Sequence, residues 1–210
     1  MIRRVILNPH AIPWDDRDAM NIPAMSGVAL KSHRVLLRPY GVHDIDDLYE
    51  AAIESVETVY PWLSWCCPNY TRTDSEKWIN DRSGEWAAGR AFSFLIADPT
   101  TGRFVGGCGL NHISQEYRMA NLGYWVRRSA MGQGYAPAAT RLLARFGLKE
   151  LDLNRIEIVA ALENMASQRA AEKAGAFREG VLRSRLTIHG KVHDAVMYSM
   201  IPSDFKEYPQ

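Results

Sequence analysis

Cysteine is scarce: three residues in 210, two of them adjacent at Cys66 and Cys67, with Cys108 alone. That number and spacing exclude a disulfide framework and a cysteine metal-ligand set, and point to unpaired thiols in a reducing compartment. Long apolar runs are missing as well. No stretch approaches the ~18 apolar residues of a membrane span. The opening segment, Met1 to His10, lacks the apolar core and small-residue cleavage site of a secretion signal. The expected location is the cytoplasm, with no membrane partner. Nor does one sign of charge dominate. Lys+Arg number 25 against 24 Asp+Glu, a net +1, which excludes a protein held to nucleic acid chiefly by phosphate attraction. Internal repeats and low-complexity tracts are absent. What remains is 47% hydrophobic and 23% charged, ordinary for one folded domain with a sizeable core.

Residues 1–30 carry Pro9, Pro13 and Pro23 with Gly27, and hold no period of 2 or 3.6. They read as an extension packed on, or hanging from, a single domain over 31–205. Periodicity then predicts a regular series. A strand at His33 to Arg38 precedes a helix from Asp44 to about Val59, with Ile45, Leu48, Ala52, Ile53 and Val56 inward. After a turn-rich aromatic stretch, Asp74 caps a second helix to about Ala88 with Trp78, Ile79 and Trp86 buried. Strands follow at 91–97, 104–113 and 120–126, then a helix with Ala139, Leu142, Leu143 and Phe146 inward. A strand at 155–161 leads to a short helix at 164–174, stopped by Gly175. Two strands, 177–188 and 192–200, close the chain through a His189-Gly190 hairpin turn. The fold class is mixed α/β.

Gly132-Gln133-Gly134-Tyr135-Ala136 lies between a strand and a helix. Glycines there let consecutive N–H groups point into one concavity, at a helix N-terminus carrying about half a positive charge. A pyrophosphate fits such a place. A tight turn needing glycine is the plainer alternative. No third glycine makes a Rossmann fingerprint, and no Gly-Lys-Ser/Thr makes a P-loop.

The run Gly123-Tyr124-Trp125-Val126 followed by Met131-Gly132-Gln133-Gly134-Tyr135-Ala136 resembles the acetyl-CoA loop, Gln/Arg-x-x-Gly-x-Gly/Ala, of the GNAT N-acetyltransferases. Met131 replaces the usual first residue but still offers a backbone N–H. Asn154 to Ile158, Glu163 to Arg169, Glu172 to Gly180, and Gly190 to Asp194 with Met197-Tyr198 are similar to the branch that acetylates ribosomal-protein N-termini. The resemblance spans about residues 33–202. It implies a GNAT acyltransferase fold, a mixed central sheet splayed between its central strands and flanked by helices. Acetyl-CoA is the implied cosubstrate, with no metal.

The same resemblance implies site residues. A backbone N–H at Trp125-Val126 would meet the thioester oxygen, and 131–136 would hold the pyrophosphate. Asn164 is a candidate pantetheine contact. Many relatives place a tyrosine acid seven residues after that Asn; here the position is Ala171, and the branch's serine alternative is Ser167. Ser167 is therefore the candidate proton donor to the departing thiolate, with a plain first-turn residue as its alternative. The branch's carboxylate base maps to Leu186, so the base is unassigned; His112 is a second candidate, or a plain surface histidine. An α-amine, with a pKa near 8, needs less help than a lysine near 10.4. His193-Asp194 reads as structural, since neighbours on a strand face opposite sides. Trp62, Trp65 and Tyr70 either wall the acceptor site or pack over the sheet.

The expected activity is acetyl transfer to the α-amine of a peptide or protein N-terminus by direct attack in a ternary complex. Alternatives are a small amine (a polyamine, aminoglycoside-like or amino-acid-like acceptor) and an acyl-CoA-binding module without turnover. A monomer or homodimer is expected. Between Gly41 and Glu85 there are 10 acidic and 3 basic residues; between Arg127 and Lys191, 12 basic and 6 acidic. An acidic acceptor half and a basic donor half is one reading of that asymmetry, and solvated helix faces the other.

Overall fold

A computed structural model describes residues 20–205. Its centre is one eight-stranded sheet built of β1 (Leu30–Lys31), β2 (Leu36–Pro39), β3 (Phe92–Ala97), β4 (Phe104–Ser114), β5 (Met119–Val126), β6 (Arg155–Ala161), β7 (Phe177–Ile188) and β8 (Lys191–Met200). Spatial order is β1-β2-β3-β4-β5-β6-β8-β7. Every neighbouring pair is antiparallel except β5 and β6. Four helices cover it: α1 (Ile45–Val59), α2 (Arg72–Ala87), α3 (Tyr135–Lys149) and α4 (Met165–Lys173).

Strand alternation divides the core between the two faces. From β3, Phe92, Phe94 and Ile96 join Leu143 and Phe146 of α3, while Leu95 and Ala97 join Ile45, Leu48 and Ala51 of α1 and Ile79 of α2. Ala171 of α4 shares the α3 side with Ile156, Ile158, Val196 and Tyr198. The fold is thus α1 and α2 on one face, α3 and α4 on the other. The expected order of elements is present, with one addition. Strand β1 was not foreseen because two residues carry no period.

Local differences have local causes. Helix α2 is capped by Thr71, not Asp74: Asp74 is the third helical residue, and its carboxylate accepts from the Thr71 N–H at 2.8 Å, a capping box. Trp78 is 36% exposed, lying edge-on to Tyr40 with Arg82 stacked over it, whereas Ile79 and Trp86 are buried. On α1, Ile53 is exposed, and Ala51 and Ser55 turn inward in its place. The hairpin turn lies at His189-Gly190, both with positive φ, the geometry a two-residue turn between twisted strands requires. Of the residues read as an extension, 1–19 lie outside the described residues. Met20, Ile22, Met25 and Val28 pack on the main core, and the Trp86 indole donates to the Pro23 carbonyl at 2.8 Å.

Candidate active site

The parallel pair β5–β6 holds together over three residues only, Met119 to Asn121 against Arg155 to Glu157. Beyond it, Leu122–Val126 pairs with β4 alone, and Ile158–Ala161 with β8 alone. Two parallel strands therefore part at their C-terminal ends. The free edge of β5 faces the gap, where an extended ligand can lie like an added strand. Both strands lead into helices at this open end, α3 after β5 and α4 after β6, so two helix N-termini serve one cleft.

The loop into α3 presents unpaired backbone donors. Gly132 and Gly134 have φ of +76° and +82°, and Gly134 is the residue before the helix. Side chains rarely adopt that conformation, so glycine is required there. Among the described residues, the N–H groups of residues 132–136 donate to no acceptor in the chain. Five consecutive donors at a helix mouth fit a pyrophosphate. Met131 is extended and half exposed. The Gln133 carbonyl accepts from Arg34 at 2.9 Å, and its amide donates to the Ser129 carbonyl at 3.0 Å. Tyr135 donates to Asp98 at 2.7 Å. Three backbone and side-chain partners at Thr100, Thr101 and Tyr135 hold the Asp98 carboxyl at about 2. Ala136 occupies the first helical turn, beside Pro137, whose missing N–H costs the helix nothing.

The approach to this loop is clamped from α1. Glu54 accepts from Arg127 Nε at 2.9 Å, also pairs with Arg127 Nη2, and accepts from the Ser129 N–H at 2.6 Å. Burial pushes the Glu54 carboxyl up, but these donors outweigh it and bring it down to about 2. Next to it, the buried Ser55 hydroxyl accepts from the Arg128 N–H at 3.0 Å and donates to the Ala51 carbonyl. Sequence reading missed both residues, because nothing local marks a contact 73 positions away.

Across the cleft, the Asn164 side chain caps α4 by accepting from the Ser167 N–H at 3.0 Å. Its amide oxygen is thereby engaged. Ser167 is half-buried in the first turn, and the Tyr124 hydroxyl reaches it from β5, donating to its carbonyl at 2.8 Å with its oxygen 3.1 Å from the Ser167 hydroxyl. Burial raises the Tyr124 phenol to about 12. Ala171, four residues on, is fully buried in the main core.

Trp125 and Val126 project to opposite faces. Val126 packs on the α3 side. Trp125 lies on the α1 side, edge-on to Trp65 with centroids 5.2 Å apart and tilted on Phe104 at 5.9 Å. Trp65 is 37% exposed, Trp62 half-buried, and Tyr70 buried with its oxygen accepting from Ser75. Tyr70 is therefore core, while Trp65 and Trp125 make a wall with a solvent edge. The His189 ring bonds the Tyr60 carbonyl at 2.7 Å, tying the β7–β8 turn to the segment after α1.

The remaining candidates lie elsewhere. His112 is exposed on β4, four residues from Cys108, the partner of Tyr124. At about 3.3 Å per residue that is roughly 13 Å along the strand, toward the closed end. The structure does not bring it to Ser167. Leu186 pairs with His193, whose ring lies 3.5 Å from Glu163, and Asp194 accepts from the Ser184 N–H at 2.7 Å. Cys66 is buried, which raises its thiol to about 11, and its Sγ faces the Ala52 carbonyl. Burial pushes Cys108 up as well. Neither thiol is set up as a nucleophile. Among the described residues no group of side chains could hold a metal.

Charge is arranged differently from the asymmetry along the sequence. Of the ten acidic residues between 41 and 85, six are in ion pairs: Asp44 with Arg38, Asp46 and Glu76 with Arg72, Glu85 with Arg90, Glu54 with Arg127, Glu57 with Arg128. Much of that negative charge is neutralised within the chain instead of facing an acceptor.

Comparisons with known proteins agree with this geometry. Residues 34–176 match the family model described as an acetyltransferase (GNAT) domain. The chain is 31% identical over 176 residues to the uncharacterized N-acetyltransferase p20 of Bacillus licheniformis, covering 84% of this chain and 97% of that one. It is 29% identical over 177 residues to the provisionally named ribosomal N-acetyltransferase YdaF of Bacillus subtilis (strain 168), covering 83% and 95%. A structure provisionally titled a ribosomal-protein-serine acetyltransferase, from Vibrio cholerae, superposes with a TM-score of 0.73 at 28% identity, covering 84% of this chain and 98% of that one. With the splayed sheet, the glycine loop at its open end and a family match over most of the domain, the chain belongs to the GNAT acetyltransferases.

Proposed function

We propose that this protein transfers the acetyl group of acetyl-CoA to the α-amine of a peptide or protein N-terminus, in a ternary complex. The observation that carries the reading is the open wedge between β5 and β6, with free donors of the glycine loop at its mouth and Ser167 on its α4 side. The names given to YdaF and to the Vibrio cholerae protein support a ribosomal-protein type of acceptor.

Acetyl-CoA supplies an activated acyl group as a thioester. Residues 131–136 hold its pyrophosphate, and the free edge of β5 binds its pantetheine, with Asn164 at the other side of the cleft. A backbone N–H at Trp125-Val126 meets the carbonyl oxygen as negative charge builds there. Ser167 donates its proton to the departing thiolate. The acceptor enters from the α1 side, past Trp65 and Trp125. Neither Leu186 nor Glu54 supplies a carboxylate base: Leu186 is apolar, and Glu54 is held by Arg127 and Ser129 at about 2. A weakly basic amine suits such a site, since an α-amine is appreciably neutral at pH 7 and a lysine is not.

Incubation with acetyl-CoA and peptides beginning with Ser, Ala or Met, following free thiol, tests the acceptor. Turnover on these, with little on polyamines or aminoglycosides, is expected. Turnover on small amines alone would overturn the N-terminal reading. Replacing Ser167 by Ala is expected to lower kcat roughly a hundredfold, within the usual contribution of a general acid.

A further inference from the structure

Tyr124 joins the open segment of β5 to the first turn of α4. It is the fourth of the sequence Asn121-Leu122-Gly123-Tyr124, three residues past the last paired position of β5 and inside the open segment. Alternation sends its ring to the α3/α4 face, where it packs partly buried against the main core. The hydroxyl crosses to α4. Among the described residues, its contacts with Ser167 are the only side-chain hydrogen bonds joining the free segment of β5 to that helix.

We infer that Tyr124 is a positioning residue for the proton donor Ser167, holding its hydroxyl in place and accommodating the charge that its deprotonation leaves. The inference rests on the reading of Ser167 given above. The geometry offers the phenol proton two acceptors, the Ser167 carbonyl at 2.8 Å and the Ser167 hydroxyl oxygen at 3.1 Å. At rest the carbonyl takes it, which anchors Tyr124 to the first turn of α4. When the thioester C–S bond breaks, the Ser167 O–H bond breaks and an S–H bond forms on the leaving group. The serine oxygen is then left negative. A small rotation brings the phenol proton from the carbonyl to that oxygen as a charge-assisted hydrogen bond. Tyr124 keeps its proton throughout. Serine regains its own from the protonated nitrogen of the newly formed amide, so the proton count closes with one amide and one thiol.

A buried phenol is well suited to this, because burial raises it to about 12 and so keeps its proton in place at neutral pH. A serine alone in the position would have its alkoxide unsupported except by the helix N-terminus. The α4 helix is nine residues long, and its first N–H groups are partly taken: the Ser167 N–H is already bonded to Asn164. The hydroxyl from β5 supplies what the helix does not.

The test is a double-mutant cycle with Tyr124→Phe and Ser167→Ala in the full chain, using acetyl-CoA and the amine that the wild type turns over fastest. Tyr124→Phe removes one oxygen and keeps the ring, so the fold is retained; thermal melting checks that. It is expected to lower kcat about tenfold, near the value of one hydrogen bond to a charged group, with KM for acetyl-CoA unchanged. The double variant is expected to be no slower than Ser167→Ala alone, because Tyr124 acts only through that hydroxyl. Full activity in Tyr124→Phe overturns the inference. So does a raised KM with unchanged kcat, which would make Tyr124 a pantetheine contact, and so does a double variant slowed by the product of the two single effects. Ser167→Ala at the wild-type rate refutes the donor assignment itself, whereas a slow Ser167→Ala beside a fully active Tyr124→Phe refutes only the role of Tyr124.

Discussion

Single residues set the geometry of the cofactor loop from a distance. Glu54 is on α1, yet its carboxylate receives both the Arg127 side chain and the Ser129 N–H, the turn from which the glycine loop departs. Replacing Glu54 with Gln keeps an acceptor but removes the charge that Arg127 pairs with. The expected outcome is a several-fold rise in KM for acetyl-CoA with kcat little changed, measured by initial rates at saturating amine. An unchanged KM would show that the clamp does not set the loop. Gly134 is the complementary case. Its φ of +82° costs a side-chain-bearing residue about 1–2 kcal/mol, and an added Cβ would sit 3.4 Å from Arg34. At this scale the sequence was only half legible. Gly132 and Gly134 stand out because they follow a strand, open a helix and fit a family pattern, although a tight turn is the plainer reading of the glycines alone. Glu54, Ser55, Arg34 and Tyr124 do not stand out, since each acts through a partner remote in sequence.

At the scale of elements, the decisive feature is how β5 is held against β4 while released from β6. Gly107 of β4 lies opposite Trp125, and a Cβ there would meet the Tyr40 hydroxyl and come within 2.8 Å of the Trp125 indole nitrogen. Gly107→Ala is therefore expected to push Trp125 from its place against Trp65 and destabilise the protein by roughly 1–3 kcal/mol. A fall in melting temperature accompanied by a change in tryptophan fluorescence would show this; a wild-type melt would contradict it. Periodicity placed β6 and β7 at their observed bounds, and α1 and α4 within a residue or so, because each has a clear period and an end signal such as Gly175 or Asn164. Trp78 lies off the buried stripe of Ile79 and Trp86, edge-on to Tyr40 and under Arg82. The splay itself is invisible to periodicity. It comes from pairing between strand residues 36 positions apart, and only the resemblance implied it.

For the whole molecule, charge is used mainly to hold elements to one another. Asp44, 1% exposed, receives both Arg38 and the Gly41 N–H, and Arg155 joins β6 to Glu179 of β7, which also accepts from Ser199. Arg155 and Ser199 bring the Glu179 carboxyl down to about 2, as the donors around Glu54 and Asp98 do for those groups. Each of the three is lower in the folded chain than its ordinary value of 4.5 or 3.8. Such groups stabilise the fold fully above the ordinary value and lose that stabilisation as pH falls toward about 2. Melting temperature should therefore hold from pH 7 to about 5 and decline steeply between about 4.5 and 2. A flat profile across that range would contradict the assigned pairs. Of the six paired acids between 41 and 85, Glu54 and Glu57 reach the basic stretch beginning at Arg127, and the other four pair with Arg38, Arg72 and Arg90.

The acceptor is the claim on which the account turns, and one peptide tests it. A peptide with a free α-amine and one internal lysine, incubated with the protein and acetyl-CoA at pH 7, presents both kinds of amine at equal concentration. Mapping the acetyl group by fragmentation mass spectrometry should place it on the N-terminal nitrogen. Acetylation confined to the lysine, or none on a peptide while a small amine is turned over, would contradict the account.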